Sequence, residues 1–84
     1  MQNNKVNFDL LNEQAQQRIE KQNQRPGEAL FNALSEYYPA AAKLIAGTSA
    51  DPYYRDFKIS QFWNALNEYN AYEEIKSTDL PWFR

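Results

Sequence analysis

Asp51, Arg55, Asp56 and Lys58 bring four charges of both signs together inside the run GTSADPYYRDFKISQFWNAL from Gly47 to Leu66. Carboxylates and cations this close serve general acid–base chemistry when a nucleophile or a base titrating near neutrality stands among them. None does. The chain has no histidine and no cysteine, which removes the side chains that zinc sites and most catalytic bases rely on. Carboxylates alone would suit calcium, but no acidic ladder around a glycine has the spacing of a calcium loop. A Gly-rich phosphate loop is also missing. The four charges read more simply as a helix start: Asp51 as a side-chain cap, Pro52 at a first-turn position that needs no N–H, and Arg55 one turn on from Asp51. No enzymatic activity, cofactor or metal is expected.

The distinctive side chains are aromatic. Twelve of the thirteen rings lie from Phe31 onward. Several come as adjacent pairs: Tyr37-Tyr38, Tyr53-Tyr54, Phe62-Trp63 and Trp82-Phe83. Neighbours on a helix diverge by about 100°, so both members of a pair cannot point inward. Two readings fit these rings. Either they complete the core of a small domain, or part of them forms a protein-binding patch, because Tyr and Trp are enriched among binding hot spots. The candidate contact set is Tyr38, Tyr53, Tyr54, Trp63, Tyr69 and Tyr72.

Four stretches of helical periodicity would carry these residues. The first runs from about Asp9 to Gln22, capped by Asn7 or Asp9, with Leu11, Ala15 and Ile19 on one face and amides and charges on the other. Its narrow stripe predicts the least firmly held helix, one that pairs with a partner helix or stays flexible. A linker, Gln22 to Gly27, precedes a second helix from Pro26 to Tyr38 with a broad face of Ala29, Leu30, Ala33, Leu34 and Tyr37. Pro39 ends it and opens a third, to Ala46, in which Leu44 and Ile45 supply burial and Gly47 takes the left-handed C′ position. After the Thr48-Ser49-Ala50 turn, Asp51-Pro52 would start one helical turn through Tyr54. A fourth helix begins near Phe57 and runs to Tyr69 or on to Ile75, with Ile59, Phe62, Trp63 and Leu66 inward and Glu73-Glu74 on a solvated face. Met1 to Val6 read as frayed and the 77–84 tail as docked on the bundle. Aliphatic β-branched residues are few and do not alternate. The expected fold class is all-α, a small single-domain bundle of three to four helices with short loops.

Composition narrows the partners. At 84 residues the chain buries only ~60–65% of its unfolded surface, so stability is expected to be modest. Net charge is −2, from 9 basic and 11 acidic side chains, and the cations are dispersed. That excludes the basic stripe of a nucleic-acid binder and the dense acidic face of a DNA mimic. No apolar run approaches the ~20 residues of a membrane span, and MQNNKVNFDL has no apolar core of a signal peptide. A soluble protein in the reducing cytoplasm is expected.

The segment LIAGTSADPYYRDFKISQFWNAL resembles a pattern in small phage and prophage proteins with no assigned activity. In these an apolar helix ends in a GT-x-ADP-aromatic turn, followed by a short charged stretch and a final amphipathic helix. The resemblance covers roughly Leu30 to Leu66 and implies a phage origin and no site residues. By analogy with anti-CRISPR proteins and other host-takeover inhibitors, it implies binding to a larger host protein in the host cytoplasm. The reading is a non-enzymatic helical protein-binding module. Its alternative is a structural protein, a homo-oligomer or virion component held by the same apolar surface.

Overall fold

The computed structural model describes residues 5–77. Four α-helices form: α1 (Phe8–Gln22), α2 (Pro26–Tyr37), α3 (Pro39–Ile45) and α4 (Ile59–Ser77), with a 3-10 helix at Asp56–Lys58. Among the described residues there is no strand. The architecture is the all-α bundle that the periodicity implied. Residues 1–4 and the Trp82-Phe83-Arg84 tail, expected to dock, lie outside the described residues.

The Asn7 side chain accepts the Leu10 N–H at 3.0 Å and so caps α1, leaving Asp9 as a favourable charge in the first turn. At the other end Asn23 takes the left-handed conformation (φ 58°) and the Gln24 N–H returns to the Arg18 carbonyl at 3.3 Å. Asn tolerates that conformation better than most L residues. Leu11 and Ala15 are buried against α2, so α1 is held by the body of the domain despite its narrow stripe. An Arg18–Glu36 ion pair ties the two helices further.

Helix α2 is the hub, packing on α1, α3 and the 3-10 helix. Ala29, Leu30, Ala33 and Leu34 are its inward face. It stops one residue short of Tyr38 because a residue before proline is pushed out of the helical region; Tyr38 sits at φ −139°, ψ 66°. Its backbone serves both neighbours, donating to the Leu34 carbonyl at 2.7 Å and accepting from the Ala42 N–H at 3.0 Å.

Helix α3 buries Ala41, Ala42 and Ile45. Leu44, expected inside, is 67% exposed, because it lies about 100° around the helix from the middle of that face. Gly47 follows at φ 77°, the left-handed position anticipated for it.

Helix α4 closes the core with Phe62 and Leu66, both fully buried. Each such side chain contributes about 1.5–3 kcal/mol through removal of apolar surface from water. Two expectations fail here. Glu73 is buried rather than solvated (5% exposed), since it continues the Phe62–Leu66–Tyr69 stripe toward the bundle. Val6 is not frayed: it is buried, and the Asn70 amide grips its backbone, accepting from its N–H at 2.7 Å and donating to its carbonyl at 3.0 Å.

Candidate functional site

Between Gly47 and Ile59 the chain is irregular, yet nearly every turn in it is tied. Asp51 is the centre of the first half. One carboxylate oxygen accepts the Gly47 N–H at 2.8 Å and the other the Tyr53 N–H at 3.0 Å. The Thr48 hydroxyl donates to the Ile45 carbonyl at 2.6 Å, and the Asp51 N–H bonds the Thr48 carbonyl at 3.1 Å. No helical turn forms through Tyr54, contrary to the cap reading. Asp51 closes a turn instead, an Asx arrangement that competes with helix, and its carboxylate serves backbone amides rather than Arg55. Pro52 is fully buried beneath it.

The second half is pinned to the N-terminus of α2. The Asp56 carboxylate accepts the Gly27 N–H at 2.9 Å and an Arg25 guanidinium N–H at 3.2 Å, and Arg25 also donates to the Tyr53 carbonyl at 2.6 Å. A carboxylate at a helix N-terminus satisfies an orphan amide and meets the positive end of the dipole. The approach demands glycine: a Cβ on Gly27 would stand 2.2 Å from the Pro52 carbonyl oxygen. Asp51 and Asp56 are therefore structural, each spent on holding the loop.

This framework divides the aromatic pairs. Tyr53 turns inward, edge-on to Phe31 at 6.0 Å between centroids, and Tyr54 packs against Tyr53 at 4.7 Å while remaining 81% exposed. Phe57, on the 3-10 helix, is 72% exposed, with the Lys58 ammonium 5.6 Å from its ring centre. Phe57 lies outside the candidate set, which holds only tyrosines and a tryptophan, and the periodicity makes it the first residue of α4. The 3-10 helix that replaces that turn leaves it outside. Beside Tyr54 lies an open hollow of about 370 Å³, lined by the Gly47–Ser49 turn, Asp51, Tyr54, Arg55 and Lys58.

The six candidate residues, five tyrosines and one tryptophan, do not converge on one surface. Tyr38 is half-buried, its hydroxyl accepting the Asn7 N–H at 3.0 Å. Trp63 is half-buried between Phe62 and Phe8, the latter edge-on at 5.1 Å, and so joins α4 to α1. Tyr69 packs on the core, and Tyr72 is 60% exposed. Both border a second, largely apolar groove between α3 and α4, together with Leu44. Tyr54 stands apart from that groove, on the other side of Thr48.

No group of histidine, cysteine or acidic side chains able to hold a metal occurs among the described residues. No helix among them is long and apolar enough to cross a membrane. The chain matches no protein-family model, no curated protein and no solved structure.

Proposed function

We propose that this chain is a protein-binding module without catalytic activity, and that the Tyr54–Lys58 loop is its contact surface. The observation that carries this reading is the pairing of two highly exposed rings, Tyr54 at 81% and Phe57 at 72%, with a loop tied at both ends by side chain–backbone bonds. Exposed rings on a mobile loop lose entropy on binding. Rings on a preorganised loop have met most of that cost in folding. Aromatic anchors of this kind dominate the energetics of interfaces. With the resemblance of Leu30–Leu66 to small phage proteins, the reading extends to a larger bacterial host protein as partner and its inhibition as outcome.

The test uses a photo-crosslinking amino acid at position 54 to capture a partner from bacterial lysate, followed by binding measurements with that partner purified. Tyr54→Ala and Phe57→Ala are expected to cost about 2 kcal/mol each, roughly 30-fold in Kd, with the melting temperature unchanged. Full affinity in both variants would sink the assignment.

A second reading, self-assembly, rests on the α3–α4 groove, where Leu44 is 67% exposed. It expects a mass above the monomer in light scattering that falls on Leu44→Asp.

A further inference from the structure

We infer that the partner surface received by this loop is acidic, an apolar side chain flanked by carboxylates, and that Arg55 and Lys58 read it. This deepens the proposed function and rests on it. The argument begins with how charges are spent. The loop holds two carboxylates, and both serve its interior: Asp51 on the Gly47 and Tyr53 amides, Asp56 on the Gly27 amide and Arg25. Arg55 and Lys58 have no such duty. Arg55 is exposed, and Lys58 lies against the Phe57 ring. The hollow itself is lined by two cations, Arg55 and Lys58, and one carboxylate, Asp51, an excess of one positive charge there on a chain whose net charge is −2. Arg55, exposed, and Lys58, half-buried, line the hollow with Tyr54, the Gly47–Ser49 turn and Asp51, whose carboxylate is turned to the Gly47 and Tyr53 amides.

A local excess of cation on an acidic protein favours encounter with negative surfaces and disfavours wrong partners. The guanidinium of Arg55 suits a carboxylate in a two-point contact, while Tyr54, which lines the hollow, and the exposed Phe57 two residues beyond Arg55 supply apolar contact. The hollow of about 370 Å³ has room for one or two side chains. Nucleic acid fits less well. A phosphate backbone is gripped by a line of cations, and here two stand alone on a chain of net negative charge.

The probe is an acetylated, amidated peptide, Glu-Asp-Leu-Phe-Glu-Asp, compared with its neutral isostere Gln-Asn-Leu-Phe-Gln-Asn and with a short oligothymidylate. Each is titrated into the full chain while backbone amide and Arg side-chain resonances are followed. The acidic peptide is expected to move the signals of residues 47–58, to bind roughly ten-fold tighter than the isostere at low salt, and to lose that advantage as salt rises. In a chain carrying both Arg55→Gln and Lys58→Gln the two peptides should bind alike, with spectral dispersion retained as the folding check. Equal binding of both peptides to the native chain, tighter binding of the oligonucleotide, or shifts confined to other parts of the molecule would overturn the inference. The Tyr54→Ala, Phe57→Ala double variant separates this from the reading beneath it. Weakened binding of both peptides there keeps the loop as contact surface even if charge proves irrelevant. Unchanged binding of both removes the rings, and with them the proposed function.

Discussion

Gly27 is the residue whose chemistry is least open to change. It lies in the first turn of α2, where alanine would ordinarily stabilise an exposed helix by about 0.5–1 kcal/mol. Its hydrogen instead faces the Pro52 carbonyl, with 2.2 Å available for a Cβ. Overpacking of that kind costs about 1–3 kcal/mol. Gly27→Ala should therefore lower the urea midpoint, and a rise would show that the Pro52 loop yields easily. Asn70 poses a similar question at the other end of the molecule. Its amide makes both hydrogen bonds to Val6, so Asn70→Ala leaves a buried backbone donor and acceptor without it. A loss of about 1–3 kcal/mol is expected, with faster hydrogen exchange at the Val6 amide. Exchange that stays slow would mean water replaces the clasp.

At the scale of elements, the 51–58 loop and α4 divide labour. The loop's exposed rings make few demands on the fold, so Tyr54→Ala with Phe57→Ala should leave stability within about 0.5 kcal/mol, as surface changes usually do. Helix α4 carries the opposite burden. Phe62→Ala should cost about 3–5 kcal/mol, from lost burial plus the cavity left behind, measurable as a shift in the denaturation midpoint. A cost below 1 kcal/mol would mean that α4 closes over the gap. Helix α1 belongs with α4 in this respect, since the Phe8–Trp63 ring contact joins them across the core.

The described residues share one hydrophobic cluster, from Val6 through Leu66, drawing on all four α-helices. Small single domains of this kind unfold in one cooperative step, and 84 residues support only about 4–13 kcal/mol of total stability. Far-ultraviolet dichroism and the fluorescence of Trp63, in a Trp82→Phe background, should thus report the same midpoint. An earlier fluorescence transition would show that α1 and α4 separate before the helices melt.

Much of the architecture was legible in the chain because local rules and burial agree there. Proline at positions 26 and 39 and glycine at 47 set the borders of α2 and α3 to within one residue, and the 3.6-residue pattern marked Leu11, Leu30, Leu34, Phe62 and Leu66 as core. Histidine and cysteine are missing from the chain itself, so the usual zinc ligands and neutral-pH bases were ruled out from the sequence alone. The exposure of the candidate rings was only partly legible. Tyr54 was named, but Phe57 and Leu44 were not, and Tyr38, Tyr53 and Trp63 proved partly buried. Periodicity assigns faces along a helix, and it has no reach across an irregular stretch whose geometry depends on distant groups. Asp51 looked like a cap because its nearest amides are local. Asp56 found its partners at Arg25 and Gly27, some thirty residues away. Only the packing of that loop on α2 decides which of its rings faces out, and in that packing Asp56 ties the loop to the start of α2 while Asp51 closes the turn ahead of it.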